Sequence, residues 1–437
     1  MSGTSTLTME TLGRTPRTSR GVATTLVALC AALGACTNEG DAGETEASST
    51  GAADVGGEVG SDESSGEPFD PDAQYAVSVR VQGMPLLGYV TILNSPRQAA
   101  EVDLAEVIEI PNAGLAVGSG QDGVMYLVDG TTPRLTEFLV DPDGGVTQGR
   151  TLSMEAFSPS SAGARAGNFI FVSNTKAYVI DTFTKIVGVW NPETFEITGT
   201  FDIDEAGLAG WIGVVGGAPR SRDGEFIYAQ SFVSLTSSYA PTSNVVFLDP
   251  ETDSIAHVTE IPDCTAVSEL VVADNGDIWG ASDVSAVFNQ LTGLSDGDEC
   301  IFRIPAGSYE VDEYMTFPQR TGGLRGGTLL QQQDTQAYVR ILDEALAPAN
   351  PTDIGDINGA QVWRWGRLDL ATDEPIEVLT DLPPMAGSTR AFTLDGTSWA
   401  TEGSADLATA TMLDLSGAAP APGFEVTGII INAFRLR

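Results

Sequence analysis

This sequence predicts an all-β fold built by repetition, and three observations predict it. The first is a phrase in which a turn pair, Asp-Gly or a close relative, is followed a few residues later by Tyr or Trp. It occurs at Asp122-Gly123 with Tyr126, Asn174-Thr175 with Tyr178, Asp223-Gly224 with Tyr228, Asn275-Gly276 with Trp279, Asp334-Thr335 with Tyr338 and Asp395-Gly396 with Trp399. A weaker copy, Asp70 with Tyr75, lies upstream. The second is the spacing: successive copies stand roughly 49 to roughly 61 residues apart, near the length of one β-propeller blade. The third is another periodic turn, Asp141-Pro142-Asp143-Gly144, Asn191-Pro192-Glu193-Thr194 and Asp249-Pro250-Glu251-Thr252. Together they predict a β-propeller of about seven blades, each a four-stranded antiparallel sheet.

Each part of the phrase has a physical reason. Asp-Gly and Asn-Gly tolerate the positive φ of a tight hairpin turn. An aromatic soon afterwards, among β-branched residues, suits a strand buried between two packed sheets. Proline in the second turn fixes φ and withdraws a donor, so it ends the strand before it. Scattered turns in an ordinary all-β protein would not keep a blade-sized period.

In chain order, residues 1–35 read as a targeting leader. Arg14, Arg17 and Arg20 supply the positive start, and Gly21 to Leu33 an apolar stretch too short for a stable membrane span. Leu33-Gly34-Ala35-Cys36 resembles the bacterial lipobox, which implies a Cys36 that becomes the acylated first residue of the mature chain. By the same resemblance, Thr37 in place of Asp after that cysteine implies the outer membrane of a Gram-negative bacterium. An ordinary secretory signal is the plainer alternative. Residues 36–68 then form a lipidated cysteine and an acidic tether, rich in Gly, Ser, Ala, Glu and Asp, with too little apolar surface to offset the entropy of ordering.

The propeller domain is expected over residues 69–437. Tyr75 to Val81 alternates as a strand and Tyr89 to Leu93 follows as another. Each period then repeats one grammar: a short strand such as Leu270 to Ala273, the turn phrase, a strand such as Ala177 to Ile180, a further strand such as Ile186 to Trp190, the polar turn, and a last strand such as Glu196 to Phe201. The C-terminal run Gly428 to Phe434 looks like the short first strand without its turn. It is expected to complete the unit begun by Tyr75, closing the ring by pairing the two ends of the chain.

Composition narrows the function. Sixty acids against 21 bases give a formal charge of −39. Removing residues 1–35 takes away three arginines and Glu10 and leaves about −41. Nucleic acid is excluded as a partner, since phosphates are repelled, and the membrane is expected to be met through the lipid anchor alone. The single histidine, His257, forbids any site needing two imidazoles from one chain; it sits in a strand-like run and reads as structural. Cys264 and Cys300 remain in the mature domain, and outside the reducing cytoplasm a disulfide between them is the economical inference, two free buried thiols the alternative.

No catalytic motif is present: no Cys-x-x-Cys-His, no His-Glu-x-x-His, no nucleophile elbow. The glycines of 210–217, of 322–323 and of 326–327 read as turns before inner strands rather than as phosphate cradles. No cofactor is expected, with calcium the one candidate: acids at Asp202 to Glu205 and Asp353 to Asp356 could supply ligands, but no calcium-loop spacing is met. Four of the scarce arginines, Arg165, Arg220, Arg325 and Arg390, fall at the entrances of expected inner strands. Inner strands face the channel, where guanidinium groups could clamp a small anionic ligand; salt bridging to the many acids is the plainer role.

The blade grammar resembles that of YVTN-type periplasmic propellers. Ala177-Tyr178-Val179-Ile180-Asp181, leading to Val189-Trp190-Asn191-Pro192-Glu193-Thr194-Phe195-Glu196-Ile197-Thr198-Gly199, is similar to the narrower group of propeller lipoproteins of the MxcI type. That resemblance implies an accessory to outer-membrane uptake of siderophores or other iron chelates, with an outer-membrane receptor or transporter as partner. The chain therefore reads first as a binding protein. The alternative is an enzyme on the same fold, such as a calcium-dependent lactonase or a lyase, because fold alone does not decide function.

Overall fold

The computed structural model describes residues 73–81, 87–97, 107–110, 114–158, 166–234, 238–387, 389–404 and 408–437. The leader, Cys36, the tether, Asp70 and Arg165 lie outside the described residues. Within them the chain forms seven antiparallel sheets, the seven blades of a β-propeller. Blade 1 runs from its inner to its outer strand as Ile429–Arg435, Tyr75–Val81, Leu87–Leu93 and Ile108–Ile110. Blade 2 is Leu115–Gly118, Val124–Val128, Arg134–Val140 and Val146–Ser153; blade 3 is Phe169–Ser173, Lys176–Asp181, Ile186–Asn191 and Glu196–Asp202. Blade 4 divides its inner edge between Ile212–Val215 and Arg220–Arg222, then continues as Glu225–Val233, Tyr239–Asp249 and Ser254–Ile261. Blade 5 is Val267–Val272, Ile278–Ser282, Cys300–Ile304 and Glu313–Thr316. Blade 6 is Gly326–Gln333, Gln336–Leu342, Gln361–Asp369 and the short Glu377–Val378; blade 7 is Ala391–Leu394, Thr397–Gly403, Thr409–Asp414 and Ala421–Thr427.

The repeated phrase does what its chemistry dictates. Gly123, Asp223, Gly224, Gly276, Asp334, Asp395 and Gly396 all take positive φ in the hairpin that joins an inner strand to its neighbour. The aromatic that follows lies on the second strand of every blade: Tyr75, Tyr126, Tyr178, Tyr228, Trp279, Tyr338 and Trp399, all buried. These side chains fill the space between blades. Tyr126 of blade 2 packs edge-on to Trp190 of blade 3 at 5.2 Å and stacks on Phe171 and Phe195. Tyr178 of blade 3 donates to the Asp253 carboxylate of blade 4 at 2.6 Å, and Tyr338 of blade 6 to the Gly417 carbonyl of blade 7 at 2.7 Å. An aromatic with a polar tip thus buries its ring and fastens the next blade.

The ring closes as expected. Ile429–Arg435 pairs antiparallel with Tyr75–Val81, from Tyr75 opposite Arg435 to Arg80 opposite Ile429. Arg435 forms an ion pair with Asp395 of blade 7 at 2.7 Å, and Asn432 donates to the Ala116 carbonyl of blade 2 at 2.9 Å. The Cys264–Cys300 disulfide is present, with both cysteines fully buried. His257 is an exposed residue of the outer strand of blade 4, stacked on Tyr309 at 4.6 Å, a structural place.

The glycine runs lead into inner strands, as expected, and parts of them lie within those strands. Residues 212–215 form an inner strand inside the glycine-rich run, with Gly210 at positive φ in the turn before it. Gly326 and Gly327 begin a strand, because Gly326 packs on Phe317 and Gly327 on the backbone of Asp283 and Val284, where a Cβ would collide.

One buried charge works against stability. Arg340, on the second strand of blade 6, is fully buried, and none of its three guanidinium nitrogens has a hydrogen-bond partner. The group lies over the Trp365 ring, 3.7 Å from its centroid. Burial pushes its pKa down to about 9, against the opposing pull of Glu402. Because the folded value is depressed, the penalty is full at neutral pH and is relieved only as pH rises above about 9. Arg340→Met, which keeps an unbranched stem as far as the Nε position and removes the charge, is expected to raise unfolding free energy by ~1–3 kcal/mol. A urea melt at pH 7 checks this; a comparable loss would show that the stacking and Glu402 outweigh the desolvation.

Candidate functional site

Inner strands of a propeller line its axis. Here they enclose a cavity of about 470 Å³, to which blades 1, 2, 3, 4, 5 and 7 contribute inner-strand residues. The wall is mixed: Val117, Phe169, Phe171, Val214 and Ile431 alternate with polar groups such as Ser231, Ser268, Thr393 and Asn432. Four charged residues stand in it: Arg220, Glu269, Asp283 and Arg390.

Arg220 begins the short strand at the inner edge of blade 4. Its Nε donates to the Leu270 carbonyl of blade 5 at 2.9 Å, and its Nη1 reaches Thr393 Oγ1 of blade 7 at 3.5 Å. Blades 4 and 7 are not neighbours in the ring, so this guanidinium spans the bore. Arg390 sits just before the inner strand of blade 7, held by a backbone bond to Thr401 Oγ1 at 3.0 Å, and its side chain is exposed to the cavity.

Glu269 is the buried charge of the site. It lies on the inner strand of blade 5, where the register slips between Val267 and Glu269. Such a bulge re-aims the side chains beside it. Glu269 is only 8% exposed, yet its Oε2 has no hydrogen-bond partner. Its carboxylate rests over the Gly216-Gly217 backbone; a Cβ at Gly217 would overlap it, and one at Gly216 would overlap the Ser268 carbonyl. These glycines are required by close approach. Burial pushes the Glu269 carboxyl up to about 7 although Arg220 and Arg390 pull it down; Asp283 adds to the rise. Asp283 is itself anchored by the Ser285 amide at 2.8 Å and the Ser285 hydroxyl at 2.6 Å.

Of the four arginines singled out in the sequence, the structure brings Arg220 and Arg390 together at the cavity. Arg325 lies outside its lining, with Nη1 on Gln290 Oε1 at 2.6 Å and on buried Glu299 at 3.4 Å; salt bridging is its role. Arg165 lies outside the described residues. Glu269 and Asp283 are the additions that sequence reasoning missed. Of the acids considered for calcium, Asp204 pairs with Lys185 at 3.4 Å, and Asp356 accepts from the Thr352 and Asp353 amides at 2.8 and 3.1 Å. Among the described residues no group of three or more His, Cys, Asp or Glu side chains converges as metal ligands would.

Chemically, two guanidinium groups in a bore of mixed polar and apolar wall suit a small organic anion. A carboxyl near neutrality beside them can carry a proton.

No protein-family model and no curated protein sequence matches this chain. Solved structures do. Apo AztD from Citrobacter koseri is similar over 83% of this chain and 98% of its own, with 11% identity and a TM-score of 0.44. PpgL, the periplasmic gluconolactonase of Pseudomonas aeruginosa, is similar over 84% of this chain and 99% of its own, with 10% identity and a TM-score of 0.48. Hydrazine synthase of Kuenenia stuttgartiensis is similar over 69% and 76%, with 11% identity and a TM-score of 0.42. The seven-blade ring itself is established by this chain's own strand pairing.

Proposed function

We propose that this chain is an extracytoplasmic propeller lipoprotein of the MxcI type, tethered through Cys36, that holds a small organic anion in its bore as an accessory to outer-membrane uptake. The observation that carries the reading is the presence of both Arg220 and Arg390 in the lining of one axial cavity of about 470 Å³. The disulfide supports an oxidising compartment. The lipobox-like Leu33 to Cys36 and the acidic tether support an anchored domain held away from its membrane, facing a receptor or transporter there. Iron chelates are the ligand class to which the resemblance points.

Two measurements test this. Labelled palmitate should enter the wild-type chain in cells and be lost on Cys36→Ser; unchanged labelling would remove the anchor. Calorimetry of the mature Cys36→Ser chain with ferric citrate should show saturable binding. That binding is expected to weaken at least tenfold, ~1.4 kcal/mol, when Arg220 and Arg390 are both changed to Ala. Binding that ignores both arginines would overturn the bore as the anion site.

One observation favours a second reading. The Glu269 carboxyl stands at about 7, where a general acid or base works best. A lactonase or lyase would then use it directly, and turnover of a lactone panel, lost in Glu269→Gln, would place the chain among enzymes.

A further inference from the structure

We propose that the bore takes its organic anion together with one proton, Glu269 entering the complex as the neutral acid and donating to the anion held between Arg220 and Arg390. This rests on the anion-binding reading above and adds proton coupling to it.

The geometry is specific. The bulge at Val267 to Glu269 and the bare backbone of Gly216-Gly217 let a carboxyl lie against the cavity wall. Its Oε2 is left buried and unpartnered among the cavity-lining residues. A buried carboxyl oxygen with no donor beside it favours the neutral acid, and Glu269 is among the residues that line the cavity.

Charge decides the form of that acid. The charged groups facing Glu269 are Arg220 from blade 4, Arg390 at the start of blade 7 and Asp283 after the second strand of blade 5. With Glu269 ionised, two positive and two negative charges cancel, and an incoming carboxylate meets a second carboxylate in a desolvated place. With Glu269 neutral, one positive charge remains to match a monoanion, and the acid has an O–H to donate. Two like charges at one buried site raise the affinity of one of them for a proton. The proton comes from solvent and stays on Glu269; no bond of the ligand is broken.

The sign follows. The free site holds its proton with a pKa of about 7, and a bound anion raises that value further. Affinity is therefore full below pH 7 and falls about tenfold per pH unit above it.

The test uses the mature Cys36→Ser chain and benzoate, a monoanion across the range. Calorimetry from pH 5.5 to 9, in two buffers of different ionisation enthalpy, counts the protons taken up. We expect uptake approaching one proton at pH 8 and the tenfold-per-unit decline. Glu269→Gln, neutral at every pH and still a donor, should bind at the low-pH wild-type strength with a flat profile. A flat wild-type profile, no proton uptake, or a slope that survives in Glu269→Gln would overturn proton coupling and leave the arginine site standing. A folded protein that binds neither benzoate nor ferric citrate at any pH would overturn both readings.

Discussion

A chain that ends at Gly428 does not fold to a monomer. The lost segment is the inner strand of blade 1, the only strand in its sheet that comes from the far end of the chain. It buries Ile430, Ile431 and Leu436, with Ala433 beside them. At ~1.5–3 kcal/mol for each large apolar side chain, the loss is roughly 5–9 kcal/mol before any backbone bond is counted. A domain's whole stability is ~5–15 kcal/mol. Truncation also strips the partner from Tyr75–Val81, leaving an unpaired edge at the centre of the ring. It further removes the Arg435–Asp395 ion pair to blade 7 and the Asn432 bond to blade 2, so both flanking blades lose a tie. We expect the truncated chain to aggregate or to lack a cooperative thermal transition, and a peptide of residues 428–437 added in trans to restore one. A monomer with a sharp transition close to wild type would show that the ring does not depend on this closure.

The ring was legible in the sequence because it is repeated. One aromatic phrase, weak alone, falls on the second strand of all seven blades, and the same packing demand recurs between every pair of sheets. The end-to-end pairing was legible too, since Gly428 to Phe434 is a first strand with no turn after it. The bore was legible in part. Arg220 and Arg390 stand at strand entrances, where the repeat dictates direction. Arg325 stands at another but turns to Glu299 and Gln290. Gln290 belongs to the helix Ser285–Thr292, inserted within blade 5 and no part of the repeated grammar. Glu269 left a signal that was overlooked: it is the one acid in the apolar run Ala266 to Val272. Its direction was hidden all the same, because strict alternation assigns facing only where no bulge intervenes, and here the register slips at the residue before it.

Removing the disulfide should be the other large loss. Cys264 and Cys300 are 36 residues apart, with Cα atoms 5.5 Å from one another. Closing a loop of that size removes unfolded-state entropy worth roughly 4 kcal/mol. The loop holds the first two strands of blade 5 and the helix Ser285–Thr292, so Glu269 and Asp283 both lie within it. Its base is conformationally demanding, with Asp263 and Ala266 at positive φ beside Cys264. Cys264→Ala with Cys300→Ala is expected to lower the melting temperature by about 5 °C, because the melting entropy of so long a domain is large. Two buried sulfurs are lost as well, so the reduced wild type is the necessary comparison. If the cross-link is what stabilises, the reduced protein melts near the double variant, and both lose affinity for benzoate as the wall that carries Glu269 loosens. A reduced wild type that melts with the oxidised form would place the stability in the packing of the two side chains instead.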